Sequence, residues 1–348
     1  MSREATTTVL VTGVGDTVGQ ALVKTARQSS LPCRVVGTDR DPNSVGLQWV
    51  DAAFVLPHCA QADAYVAEMR RVCSHEGVQL ILPGSEKELE LLSAHAALLY
   101  ADTGAIVVAS PPEVLRVAMD KWETCRFLER AGLNYPRYAR ADDERELQRL
   151  IAEAGFPLLA KPIRGTGARG MVQVADERDL KQVYAAGVPM VVQELLQPAE
   201  EEYSVEVYTL RNGQQVGSIC YRRDQLIAGD TYKARVMPNE EAETEARAVA
   251  AAVGATGPCN VQLRVTDRGA VTFGINPRFS GGVSMRAQFG FNEIEMAIRD
   301  LVRNQPVPQP RITTGLALRF WEEMYVKDAL EAGDVARLDA PERMAATI

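Results

Sequence analysis

The sequence is poor in the residues that anchor most metal and nucleophile chemistry. It has three histidines, His58, His75 and His95, and six cysteines, Cys33, Cys59, Cys73, Cys125, Cys220 and Cys259, with no CxxC pair. That spacing suits neither a zinc site nor a disulfide scaffold, and points to reduced cysteines in a cytoplasmic protein. HExxH, GxSxG and GxxxxGKS/T are all missing, which sets aside zincin, α/β-hydrolase and P-loop NTPase readings. No apolar run approaches about 18 residues, so no transmembrane helix and no membrane partner are expected. The opening MSREATTTVLVTG lacks a basic segment followed by an apolar one, so no secretory signal is expected. An excess of positive charge is lacking too. Thirty-eight Lys and Arg against 46 Asp and Glu leave a net charge of −8, which argues against a nucleic-acid partner held through phosphates.

What is present is an ordinary globular composition, 46% hydrophobic and 24% charged over 348 residues. At roughly 150 residues per domain that predicts two or three domains. Residues 8–12 form a short apolar run ending in a glycine turn, a helical pattern follows, and residues 34–39 read as a second strand. Helical patterns at 64–77 and 88–104 alternate with buried strands at 78–84 and 105–111. The alternation predicts an open parallel sheet over residues 1 to about 112. The pattern then changes. A helix is expected at 119–132, with Asp120 at its start. Short strands are expected at 156–163, 170–176 and 190–196, around a Gly-rich loop. Hairpins should turn at Asn212–Gly213 and near Asp267–Gly269. An amphipathic helix is expected over 241–254, a helix over 291–306 stopped by Pro306, and a strand within 312–326. The tail from Lys327 has weak patterning. Trp49, Trp122 and Trp321 read as packing residues.

The first glycine turn, Gly13-Val14-Gly15-Asp16-Thr17-Val18-Gly19, follows a strand and opens a helix, and Asp39 closes the next strand. Such a loop can bring backbone amides to a phosphate while the acid accepts from a ribose hydroxyl, which would make an NAD site. The alternative is that the glycines only permit tight strand–helix packing, and a lone GxGxxxG does not decide between them.

A second constellation is spread along the chain. The run LLAKPIRGTGARGM delivers Lys161 from an apolar strand into a loop with Gly165, Thr166, Gly167 and Gly170. Lys121 precedes it and Lys233 follows it. Lysine offers a point charge to phosphate, and glycine-loop amides can fold over phosphate oxygens; taken singly, each lysine also suits a solvated surface. The segment VVQELLQPAEEEYSVEV offers an apolar slot at Glu194–Leu196 and a carboxylate at Glu202. Adenine and ribose need those two features. Gln262 and Asn276 sit on two strands of one expected hairpin, with Arg278 directly after. Amide oxygens there suit Mg²⁺ shared with phosphates, and the arginine suits charge developing in phosphoryl transfer. Arg286 and Arg319 are either ion-paired arginines or anchors for a substrate carboxylate.

Taken in order, these segments resemble the ATP-grasp superfamily, in its carbamoyl phosphate synthetase large-subunit-like branch, with biotin carboxylase and D-alanine–D-alanine ligase more distant. The resemblance implies an α/β chain in four parts: a Rossmann-like domain over 1–112, a small ATP-grasp lobe over 113–195, a large lobe over 196–326 and a tail over 327–348. It implies ATP with Mg²⁺ or Mn²⁺ as cofactors. Lys121, Lys161 and Lys233 then look like triphosphate contacts, with Lys233 and Arg278 catalytic. Gly165, Thr166, Gly167 and Gly170 look like the lid, Glu194 and Leu196 like the adenine hinge, Glu202 like the ribose carboxylate, and Gln262 and Asn276 like metal ligands. The implied activity is a ligase that activates a small, amino-acid-like carboxylate as an acyl phosphate for attack by an amine. A homodimer is a habit of the family.

One position departs from the family pattern. Glu-x-Asn-Pro-Arg is expected before the arginine, and the chain has Gly274-Ile275-Asn276-Pro277-Arg278. With Gln262 at the other position, the implied metal set contains no carboxylate. Either another acid such as Glu206 substitutes, or the protein binds nucleotide with little turnover, or position 274 is a substitution relative to an active parent. An NAD-dependent oxidoreductase using the Gly13–Gly19 loop is the remaining alternative.

Overall fold

The computed structural model describes residues 5–165, 169–185, 187–326 and 338–339. The chain begins with β1 (Thr7–Val11), α1 (Thr17–Arg27), β2 (Cys33–Asp39), β3 (Ala52–Val55), α2 (Ala62–Glu76), β4 (Leu80–Leu82), α3 (Glu86–Ala94), α4 (Ala96–Thr103) and β5 (Ile106–Val107). Its sheet is parallel in the order β3-β2-β1-β4-β5. Both faces are covered, which is why Val9, Leu10, Val11, Leu80, Ile81 and Leu82 are all fully buried. Strand alternation divides them. Val9, Val11, Leu80 and Leu82 face Leu22 of α1, whereas Leu10 and Ile81 face Met69 and Val72 of α2. Each such buried aliphatic side chain contributes roughly 1.5–3 kcal/mol. The expected parallel sheet is present.

Two helices lead out of it, α5 (Pro112–Ala118) and α6 (Lys121–Arg130). Asp120 caps α6 by accepting a 2.9 Å hydrogen bond from the Glu123 amide; such caps are worth about 1 kcal/mol. Next come β6 (Tyr138–Arg140), α7 (Glu144–Ala154), β7 (Leu158–Pro162), β8 (Val172–Val174), α8 (Glu177–Ala185) and β9 (Met190–Glu194). They build a small antiparallel sheet in the order β6-β9-β7-β8. Its apolar face, with Leu158, Ala160 and Val192, packs on Leu147 and Leu150 of α7.

The third sheet is larger. It contains β10 (Glu202–Thr209), β11 (Gln215–Ile227), β12 (Asp230–Val236), β13 (Gly257–Thr266), β14 (Gly269–Asn276) and β15 (Gly315–Leu318), in the order β14-β13-β10-β11-β12-β15. One face is apolar: Tyr203, Val205, Val207, Val261 and Leu263 pack on Ala246, Val249 and Ala250 of α9 (Glu240–Val253). The helices α10 (Val283–Gln288) and α11 (Glu293–Ala297) close the molecule against α1, and Phe279, Val283, Phe291 and Ile294 share one hydrophobic cluster with Leu22. The last described pair, β16 (Leu338–Asp339), adds antiparallel to β3.

Both expected hairpins are present, with Gly213 and Gly269 at positive φ. Several expectations change. Residues 230–236 form a full strand that the sequence pattern did not reveal, because register shifts in β11–β12 at Arg223–Leu226 break the period of two. The 291–306 helix is α11 followed by one π-helical turn, Ile298–Val302. The strand expected within 312–326 is only Gly315–Leu318. Apart from 338–339, the tail from Lys327 lies outside the described residues.

Candidate active site

The parallel sheet, the small sheet and the polar face of the large sheet enclose a cleft of about 1200 Å³. The small lobe supplies its central cation. On β7, Leu158 and Ala160 turn into the lobe's core and Lys161 turns the other way, where it is 7% exposed. The ammonium lies 5.3 Å from the Phe273 ring centre. Among the described residues no carboxylate forms an ion pair with it. Burial pushes Lys161 down to about 8, and the Lys121 charge adds to that shift. A buried ammonium without a carboxylate partner is costly unless an anion joins it.

Lys121 is the first residue of α6, placed there by the Asp120 cap. Its ammonium donates to the Gly165 carbonyl at 2.7 Å, and its amide donates to Ile163 at 2.9 Å. It therefore fixes the start of the glycine loop. Burial lowers its pKa, against the opposing charges of Glu86 and Asp120. Gly165 has φ +123°, and no atom of the described residues lies within 4 Å of where a Cβ would stand. Backbone conformation, not space, calls for glycine there. Gly170 has φ +71°. Thr166 and Gly167 lie outside the described residues.

The polar face of the large sheet follows from pairing register: Glu202 stands opposite Arg264, Ser204 opposite Gln262, and Glu206 opposite Asn260. Glu202 lines the cleft between two arginines, bonded to Arg223 at 2.7 Å and to Arg264. Arg264 also donates to the Leu196 carbonyl at 2.6 Å. Leu195 and Leu196 line the cleft. The Glu194 carboxylate is held by Arg137 at 3.0 Å and by Arg268, and its amide donates to the Arg137 carbonyl at 2.9 Å. Arg264 and Arg223 were not singled out from the sequence. The signal was available for Arg264, which stands two residues after Gln262 on one strand and so shares its face.

Gln262 stands opposite Gly274, and a Cβ added at Gly274 would lie 3.1 Å from Gln262 Oε1. Asn276 stands opposite Asn260. Arg278 donates to Glu86 Oε1 at 2.5 Å and to Asn276 Oδ1 at 3.4 Å. Glu86 begins α3, so this contact crosses the cleft between residues 192 apart in sequence. The residues present do not fit a divalent cation held by protein carboxylates. Gln262 and Asn276 are neutral, and no cluster of three His, Cys, Asp or Glu exists among the described residues. Glu206 does not substitute. It is fully buried and outside the cleft lining, 2.8 Å from Arg286, which also binds Glu293 at 2.7 Å. Two buried carboxylates share one guanidinium, and burial raises the Glu206 pKa. Arg286 is thus an ion-paired core residue.

Lys233 does not reach the cleft. It is exposed on β12, next to the fully buried Ala234, and strand alternation turns it to solvent. Arg319 does line the cleft, where it donates to the Gly281 carbonyl. The first glycine turn is closed by its own contacts. Asp39 accepts from the Gly15 amide at 2.7 Å and the Asp41 amide at 3.0 Å. A Cβ at Gly19 would lie 2.1 Å from the Gly13 carbonyl oxygen. The acid that a dinucleotide ribose would use is already bonded to backbone, and the glycine serves packing.

Two family models match separate parts of the chain. Residues 9–107 match the PylC-like N-terminal domain, and residues 187–324 match the ATP-grasp described as belonging to the biosynthetic pathway with the Ter operon. Residues 187–324 thus carry an ATP-grasp match, and the chain is similar to the ATP-grasp superfamily. It is 28% identical over 236 residues to the carbamoyl phosphate synthase large chain of Mycobacterium bovis, covering 63% of this chain and 20% of that one. The chain thus spans about a fifth of the length of that relative. It is 25% identical over 329 residues to the formate-dependent phosphoribosylglycinamide formyltransferase of a Synechococcus species, covering 90% of this chain and 79% of the relative. Among solved structures, the ADP complex of an N5-carboxyaminoimidazole ribonucleotide synthetase superposes with a TM-score of 0.69 at 17% identity, over 91% of this chain and 82% of the other. That likeness shows the shared fold: a parallel-sheet domain followed by an antiparallel-sheet ATP-grasp domain.

Proposed function

We propose that the protein is an ATP-dependent ligase that activates a small-molecule carboxylate as an acyl phosphate and joins it to an amine. The observation that carries this reading is Lys161, a buried ammonium with no carboxylate partner among the described residues, facing a large cleft in an ATP-grasp fold. The ADP bound by the solved neighbour supports a nucleotide as the ligand. Leu195 and Leu196 give the base an apolar slot, and Glu202, fixed by two arginines, faces the ribose. Lys121 and Lys161 take phosphate oxygens while Gly165 and Gly170 let the loop close over them. Arg278 stands where charge builds on the transferred group.

In the first step a substrate carboxylate oxygen attacks the γ-phosphorus, and the bond to the β-bridging oxygen breaks, releasing ADP. In the second, the amine nitrogen attacks the acyl carbon, phosphate leaves, and the nitrogen's surplus proton passes to solvent. Lys161 and Lys121 hold the phosphates in line; Lys233, exposed on β12, lies outside the cleft lining. A second reading is favoured by Gly274 facing Gln262: a nucleotide-binding protein with little turnover. The test is ADP release across paired carboxylate and amine pools. The ligase reading expects release that needs one acid, reduced about 100-fold by Lys161→Met. Release that ignores every acid, or survives Lys161→Met unchanged, contradicts it.

A further inference from the structure

We infer that this cleft takes the nucleotide's phosphates on side-chain cations alone, and binds a nucleoside di- or triphosphate as well without a divalent cation as with one. The inference rests on the nucleotide reading above and adds a property of the site that the reading does not require.

A hard cation is held mainly by anionic oxygen, and Mg²⁺ demands a nearly complete octahedron of oxygens. The two strands that would present such oxygens carry Gln262, Gly274 and Asn276. Neither amide brings charge. The Gln262 amide also stands beside the empty Cβ position of Gly274, at 3.1 Å, so the space for a carboxylate is bordered by a neutral group. Asn276 Oδ1 already faces the Arg278 guanidinium.

Three acids near these two strands are matched by arginine. Glu86 pairs with Arg278, and Glu202 pairs with both Arg223 and Arg264. Glu206, on the same face of the sheet, is fully buried against Arg286. The cations are not matched in the same way, since Lys161 has no carboxylate partner among the described residues. A phosphate chain entering this cleft meets positive charge directly. A divalent ion entering with it would meet Lys121 and Lys161 as like charges.

The test is calorimetric titration of the full chain with β,γ-imido-ATP, once in EDTA and once in Mg²⁺. The inference expects dissociation constants within about threefold of each other. Binding about tenfold or more tighter in Mg²⁺ overturns it and leaves the nucleotide reading standing. No binding in either buffer overturns the nucleotide reading itself, and the inference with it. Two variants locate the effect. Gly274→Glu and Gln262→Glu each place a carboxylate between the two strands, and either should create a Mg²⁺ preference of about tenfold. If the added side chain at 274 disturbs folding, Gln262→Glu carries the test, because it adds no atom to the backbone. Folded variants that remain indifferent to Mg²⁺ overturn the assignment of these strands as the vacant metal position.

Discussion

The molecule contains two glycine-rich loops that each follow a strand, and they use glycine in opposite ways. In the Gly13–Gly19 loop the missing side chains at Gly15 and Gly19 are a matter of space, and only Gly13 has a positive φ, +56°. Gly19 lies against the Gly13 carbonyl, and Gly15 would place a Cβ 2.4 Å from Ser44 Oγ. In the second loop Gly165 has no atom of the described residues within 4 Å of its Cβ position and a φ of +123° that other residues rarely adopt. The first loop is locked by Asp39, whose two oxygens accept backbone amides. The second is tied at its start by Lys121. A glycine motif after a strand therefore says little until its neighbours are known. Where they crowd the Cβ position the loop is a packing joint, and where they leave it empty the glycine answers to backbone conformation instead.

That contrast can be broken in several ways. The largest effect should come from Gly19→Ala, because the new Cβ meets backbone that cannot turn away. It should cost about 4 kcal/mol or more, read as loss of stability in urea, with nucleotide affinity unaffected in the folded fraction. Next is Asp39→Ala, which leaves the Gly15 amide without its partner and should cost about 1–3 kcal/mol by the same measurement. NADH fluorescence should show no binding before or after the change. Gly165→Ala should act the other way round. It strains only the loop, by about 1–3 kcal/mol, so melting temperature should fall by only about 1–4 °C while nucleotide affinity falls roughly tenfold. Equal losses of stability at positions 19 and 165 would erase the distinction between the loops.

The smallest effect is a pH dependence. Lys161 is held down to about 8 in the unliganded protein, and a bound phosphate favours its charged form. Affinity should be flat below that pH. Above it, affinity should fall by up to about tenfold per pH unit, because binding then requires proton uptake. Lys161→Met should abolish that slope.

Much of the fold was legible because it depends on local periodicity. The strands carrying Leu10 and Ile81 read as buried runs because both faces of a parallel sheet are covered. The turns at Asn212–Gly213 and Asp267–Gly269 read as hairpins because their glycines need positive φ. Strand β12 was hidden because its pairing with β11 slips twice, and the spacing of Lys121, Lys161 and Lys233 does not show that Lys233 is exposed on that strand. Within the site, Lys121, Lys161, Glu202, Gln262, Asn276 and Arg278 do come together around one cleft. The arginine partners were less legible. Glu86 meets Arg278 across 192 residues, and Glu202 meets Arg264 across 62. No spacing rule connects such positions; only the assembled sheets bring them together.

The central claim is that Lys161 waits in the cleft for a phosphate. The most direct measurement is a paired one on wild type and Lys161→Met: affinity for β,γ-imido-ATP, and unfolding free energy without ligand. Replacing a buried, depressed ammonium with an apolar side chain should raise stability by about 1–3 kcal/mol while affinity falls about 100-fold. Unchanged affinity in a folded Lys161→Met protein would contradict the account.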